Sequence, residues 1–306
     1  MSKALVIIKS MGIGDLSILI ASIHAISKKI ARPVTVLAQK NTRAHAILKH
    51  DPHVEEVIEL DEKEIKSFFS IVKKIKPKRF DQSYIYSDSI RLYLISKLSG
   101  IKENFHYKFF SKKGKNFFKT AKEFTEKTLN TEIDPQSKIY CNNNDIVEAK
   151  KKYSITNNTK NIVCGVSASG PTKRWDINNY IKLFEYLNSK FQCKFFLAGG
   201  LTDEDLINQV MKSSIGKNCI SFCKMHLSEA MPIISASQYY IGNDTGWGHI
   251  ASGLGLKSLF LFMDSPPLAY GVYSKKINII CPDGLTLKST GHNSRAKNRI
   301  PVDKVL

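Results

Sequence analysis

Long apolar runs are missing from this chain, and so is any concentration of cysteine. The stretch Ala4 to Ile8 is five residues long and is broken by Lys9, whereas a membrane-spanning helix needs roughly 20. It is also too short for a cleavable secretory signal, so none is expected, and membrane contact is expected to be peripheral. The six cysteines are scattered, most of them in apolar or strand-like settings, which favours reduced core thiols and a cytoplasmic chain. Cys219 and Cys223 lie four apart near His226, but no second pair completes a tetrahedral zinc set. The dinucleotide fingerprint is incomplete. Gly12-Ile13-Gly14 is followed by Ser17 where a third glycine belongs, and no acidic ribose partner ends the second strand, which argues against a nicotinamide cofactor. Acidic residues are scarce, 27 against 46 Lys and Arg, and the net charge of +19 calls for an anionic partner. Charge alone is compatible with nucleic acid, a phosphorylated glycolipid surface or a nucleotide. No zinc-finger or RNP pattern supports the first.

What is present is alternation. At 306 residues the chain is long for one core, and a division into domains 1–150 and 151–306 is expected. Ala4 to Ile8 reads as a strand covered on both faces, Leu16 to Lys29 as a helix and Pro33 to Ala38 as the next strand, a βαβ unit. Val54 to Leu60 and Phe80 to Tyr86 continue as strands, with helices over 65–75 and 89–98. A Lys- and Phe-rich stretch leads to a helix from about Phe117, and 141–160 reads as the interdomain segment. A second alternating block starts at Asn161 and runs to the strand 256–262. Residues 301–306 read as the opening of a helix. Two doubly wound α/β domains facing a cleft fit this order.

Three turns carry chemistry. Gly242-Asn243-Asp244-Thr245-Gly246-Trp247-Gly248-His249 follows an apolar run and opens a helix, where unpaired N–H groups and the helix dipole attract a diphosphate-like anion. Its glycines let the backbone approach that anion, and Thr245 and His249 could donate to it. The competing reading is an ordinary helix cap with glycines for packing. Ser167 to Trp175 follows the first strand of the second block and offers small hydroxyl residues and Lys173 to a diphosphate; the alternative is a solvated basic loop anchored by Trp175. Asp15 stands in the first turn of a helix at the carboxyl edge of a sheet, as a general base on a hydroxyl or simply as a helix-dipole aspartate.

Taken together, the Gly-Asp turn at 14–15, Ser169 with Lys173-Arg174-Trp175, Gly199-Gly200, and Asn243-Asp244-Thr245-Gly246 with His249 resemble glycosyltransferase family 9, the heptosyltransferases of lipopolysaccharide core assembly. The resemblance implies a GT-B architecture of two Rossmann-like domains, the N-terminal one for the acceptor and the C-terminal one for an ADP-activated sugar. It implies inverting transfer with Asp15 as catalytic base and Lys9 near the acceptor. Ser169 and Lys173 match phosphate contacts, Glu204 a ribose partner, Met225 the residue beside the nucleoside, and Asp244, Thr245, Gly246 and His249 the donor phosphate and sugar contacts. No metal or other cofactor is expected, since Lys173 and a helix start would neutralise the departing diphosphate. The partners are then a nucleotide sugar and an anionic glycolipid acceptor met by Lys112, Lys113 and Lys115, with peripheral contact at the inner membrane surface and no nucleic acid. Asp176 replaces the usual proline after the tryptophan. Another nucleotide hexose as donor, or a non-catalytic sugar-nucleotide binder, stays open.

Overall fold

The structure, a computed structural model, describes residues 2–9, 12–107, 116–292, 294 and 299–306, and counts below refer to those. It comprises two α/β units, Met1–Tyr140 and Cys141–Leu306. The first unit runs β1 (Ala4–Ile8), α1 (Ile13–Ile30), β2 (Val34–Gln39), α2 (Ala44–Ile47), β3 (Val54–Leu60), α3 (Glu62–Lys66), α4 (Phe68–Ile75), β4 (Gln82–Tyr86), α5 (Ile90–Leu98), β5 (Glu103–His106) and α6 (Phe117–Leu129). The second runs α7 (Asn143–Lys152), β6 (Lys160–Gly165), α8 (Ile177–Lys190), β7 (Cys193–Ala198), α9 (Glu204–Met211), β8 (Cys219–Ser221), α10 (Leu227–Ala236), β9 (Tyr239–Asn243), α11 (Gly246–Gly253), β10 (Lys257–Leu261), α12 (Pro267–Tyr270) and β11 (Ile277–Ile280).

All strand pairs are parallel, in the orders β3-β2-β1-β4-β5 and β11-β10-β9-β6-β7-β8. Strand β1 is buried at all five positions because it is central and covered on both faces. Alternate residues Leu5 and Ile7 join Ile71 and Ile75 of α4 and Leu92 and Ile95 of α5 in one core layer. The strand order reverses beside β1 in the first sheet and beside β6 in the second. The turn after β1, and the adjacent turns after β6 and β9, therefore lie where open α/β sheets bind ligands.

At the opposite, amino edge of the first sheet a buried polar cluster ties α1 to the loop before β3. His24 Nε2 meets Asp51 Oδ2 at 2.7 Å, and the other carboxylate oxygen accepts the His53 N–H at 2.9 Å. Ser27 Oγ lies 3.1 Å from His53 Nδ1, and the two imidazole rings are 4.5 Å apart.

Several elements differ from the sequence reading. The single helix expected over 65–75 is two, because Ser67 is extended (φ −91°, ψ 111°) and caps α4 while Asp61 and Glu64 form a capping box on α3. Strands β5 and β11 were not anticipated. Residue 150, the expected boundary, falls inside α7, which packs on α10, so the contacts divide the chain ten residues earlier, after Tyr140. Residues 302–304 form one 3₁₀ turn, with Ile300 and Val305 in the second unit's core.

Candidate functional site

The second unit gathers its functional candidates on the carboxyl edge of its sheet. The keystone is Asn243, fully buried at the end of β9. Its Nδ2 donates to the carbonyls of Val166 and Ser167, both at 3.1 Å, and its Oδ1 accepts the Trp175 N–H at 3.0 Å. One side chain thus pins both ends of the turn that carries Ser169 and Lys173 against the turn that carries Asp244 and Thr245. A neutral amide that spends both donors and its acceptor in this way is a rigid clamp. Trp175 is itself buried and donates through Nε1 to the Ile300 carbonyl at 2.7 Å. Within this clamp Ser169 is exposed and Lys173 half-buried.

Asp244 follows immediately. Ser265 Oγ donates to its Oδ2 at 2.6 Å and His249 Nε2 lies 3.2 Å from its Oδ1. The other ring nitrogen of His249, Nδ1, is 2.8 Å from the Tyr273 hydroxyl. A carboxylate only accepts, so Nε2 carries the proton and, in the neutral ring, Nδ1 accepts from Tyr273. Burial alone would raise the Asp244 carboxyl. The hydrogen bond and charge of His249, the Ser265 hydroxyl and the Lys173 ammonium outweigh it and hold the group below the usual carboxylate range. Each Asp244 oxygen keeps a lone pair beyond these bonds. His249, by contrast, has both nitrogens taken up inside the fold, so its place here is to hold Asp244.

Helix α11 starts at Gly246 behind Thr245, and no side chain caps it. Its first N–H groups and its dipole offer positive potential at the same edge. Two of the glycines in this motif serve packing. A Cβ on Gly242 would fall 2.5 Å from the Gly165 nitrogen on the neighbouring strand, and one on Gly248 2.7 Å from the Phe260 ring. Close approach to an anion is therefore not what requires them.

The remaining donor-side candidates border this cluster. Arg174 Nη2 meets Asp203 Oδ1 at 3.1 Å, and Asp203 Oδ2 accepts the Gly200 N–H at 3.0 Å, which fixes the turn after β7. Glu204, next in line, pairs with Lys224 at 2.8 Å on an exposed surface. Met225 is half-buried in the turn after β8. Arg174, Asp203, Asn243, Ser265 and Tyr273 were given no role from the sequence. Ser265 and Tyr273 sit 21 and 24 residues beyond their partners and reach them only through the parallel order of β9 and β10.

In the first unit, Lys9 is exposed at the end of β1 and Asp15 half-buried in the first turn of α1, whose N-cap, Gly12, provides no side-chain bond. Lys112, Lys113 and Lys115 lie outside the described residues. Among the described residues no three His, Cys, Asp or Glu side chains converge as a metal-ligand set, and no helix is long and apolar enough to cross a membrane.

Comparison with known proteins gives consistent relatives. The family model for glycosyltransferase family 9 (heptosyltransferase) matches residues 110–299. Lipopolysaccharide heptosyltransferase 1 of Campylobacter coli is 22% identical over 94% of this chain and 91% of its own length. Among solved structures, the E. coli ADP-heptose lipopolysaccharide heptosyltransferase II superimposes with a TM-score of 0.75 at 19% identity, covering 99% of this chain and 96% of that one. An E. coli heptosyltransferase solved with ADP gives 0.70 at 15% identity, covering 95% and 97%. Both share the fold, two parallel-sheet α/β domains of GT-B type.

Proposed function

This chain belongs to glycosyltransferase family 9, and we propose that it transfers a heptose from ADP-heptose to the sugar core of a lipopolysaccharide-type acceptor, with inversion at the anomeric carbon. The donor is held on the carboxyl edge of the second sheet. Lys173, the Ser169 hydroxyl and the N–H groups opening α11 take the diphosphate, whose charge grows as it leaves. Asp244 is an anion and suits sugar hydroxyls, which its remaining lone pairs accept. Glu204 takes the ribose hydroxyls after releasing Lys224, an exposed pair that costs little to break, and Met225 lies against the base.

Asp15 takes the proton of the acceptor hydroxyl as that oxygen bonds to the anomeric carbon and the bond to the diphosphate breaks. Lys9 steadies the acceptor. Lysine and helix dipole supply the neutralisation that a metal ion gives other transferases. The acceptor is anionic and lipid-linked, met at the inner face of the membrane.

The observation that carries this reading is the Asn243 clamp, which fixes Lys173, Asp244 and the uncapped start of α11 on one sheet edge. Its test begins with thermal shifts against a panel of nucleotide sugars, where a ligand of the folded state raises apparent stability. ADP-heptose is expected to shift the transition; a response confined to UDP- or GDP-sugars would overturn the donor. Asp15→Asn is expected to lower turnover on a phosphorylated core acceptor by about 10²–10⁴-fold with donor affinity intact. Near-normal turnover would remove Asp15 from its role, and ADP-heptose binding without transfer by the wild type would leave a binding protein.

A further inference from the structure

Helix α5 is apolar on both sides. Leu92 and Ile95 point into the core, while Ile90, Leu94 and Leu98, spaced four apart along the opposite face, are 42%, 46% and 58% exposed. A surface helix ordinarily keeps its large apolar side chains on the face turned to the core, so a second apolar stripe on the outer side is surface available for contact. Helix α4 packs beside it in the same layer over the same core. With Ile71 and Ile75 turned inward, its outer face presents Phe69, which is 81% exposed, and Lys73 one turn on. Large apolar side chains exposed together in this way mark an interaction surface.

The cations on this face select the partner. Lys73 and Lys97 have no carboxylate within ion-pair distance among the described residues, whereas two of the three lysines of α6 are paired along their helix, Lys119 with Glu123 at 3.7 Å and Lys122 with Glu126 at 2.5 Å. Unneutralised lysines beside protruding apolar side chains match the boundary of an anionic bilayer, where ammonium groups meet headgroup phosphates and the apolar tips enter the acyl region. A second copy of a chain of net charge +19 would bring like charge against like.

We propose that the outer face of α4 and α5 is the membrane-docking surface of this enzyme, with Phe69 and Leu98 inserted and Lys73 and Lys97 on anionic headgroups. This deepens the reading above, since a lipid-linked acceptor lies in such a bilayer, but its grounds are this face alone.

Vesicle flotation of the full chain tests it. Binding to phosphatidylcholine vesicles containing roughly a third phosphatidylglycerol is expected, with little binding to phosphatidylcholine alone and loss at about 0.5 M salt. F69S/L98S and K73E/K97E are each expected to weaken partitioning by at least about tenfold while leaving transfer to a water-soluble acceptor at the wild-type rate. A tryptophan placed by F69W is expected to shift its emission to the blue on anionic vesicles only. Unchanged partitioning of both double variants, or F69W emission indifferent to vesicles, would overturn the proposal. So would a dimer that F69S/L98S dissociates in a chain that binds no vesicles. Vesicle binding by a chain that transfers no sugar would defeat the proposed function and leave the docking surface standing.

Discussion

Two histidine–aspartate pairs, one in each unit, are built from the same groups and sit at opposite edges of their sheets. His24 and Asp51 meet at 2.7 Å with side chains 10% and 1% exposed; His249 and Asp244 meet at 3.2 Å with side chains 4% and 10% exposed. They differ in what the second carboxylate oxygen does. Asp51 spends it on a backbone N–H of its own loop, which closes the connection into β3 against α1. Asp244 receives the hydroxyl of Ser265, a side chain able to rotate, at the sheet edge where open α/β sheets bind ligands. The same hydrogen-bonded pair is a staple where strands begin and a positioning device where they end. Burial alone does not separate the two roles; the direction of the strands does.

The largest effect is expected from breaking the staple. His24→Ala leaves the Asp51 charge buried with only the His53 N–H, and a stability loss of about 3–5 kcal/mol is expected by chemical denaturation. The affinity of the surviving folded fraction for ADP-heptose should not move; a parallel loss of affinity would make the two pairs alike and dissolve the comparison. Next comes His249→Ala, which frees Asp244 to swing, and calorimetry should read a donor affinity weaker by about 10–100-fold, or roughly 1.4–2.7 kcal/mol. Tyr273→Phe removes only the group that orients the imidazole. It is expected to cost about 1 kcal/mol of donor binding, near fivefold. Wild-type donor affinity in Tyr273→Phe would show that His249 keeps its tautomer unaided.

The sequence makes this contrast only half legible. The central strand Ala4–Ile8 is a continuous apolar run and stands in the structure at the bounds read from the sequence, as does the edge strand Val54–Leu60, whose apolar residues are interspersed with glutamates. The glycine turns after β6 and β9 are legible for the same reason, because a strand that ends in glycine and small polar residues before a helix announces itself. Two of the four edge strands are not. β5, Glu-Asn-Phe-His, has no buried residue to give it a period, and β11 is four residues long. The break at Ser67 hid because the apolar spacing of one helix ran on through a capping serine. For the site, residues of the motif are visible, but their supports are not. Asn243 stood in the motif without a role, and Ser265 and Tyr273 belong to turns whose nearness depends on strand order, which no local pattern records. Gly242 and Gly248 were legible as glycines, and of the two reasons the sequence offers for them the structure supports packing, since the neighbours that forbid a side chain lie on other strands.

Mild acid separates the two edges most finely. Asp244 is held low, so its contribution is complete above the ordinary carboxylate pKa and is lost only as pH falls through its depressed folded value, well below neutrality. His53 is also held low. Burial is the chief cause, the neighbouring His24 adds to it with Lys28 and Lys138, and Asp51 opposes. As pH drops below 6.5, the unfolded chain takes up a proton that folded His53 refuses, and the folded state loses ground. Unfolding curves from about pH 8 to about pH 5 should therefore slope downward by no more than about 1.4 kcal/mol per pH unit for this one proton. His53→Asn can still accept from Ser27 but cannot titrate, and it should flatten the slope while leaving donor affinity at neutral pH alone. An unchanged slope would move the acid sensitivity away from the amino edge of the first sheet, and with it the claim that this edge serves stability alone.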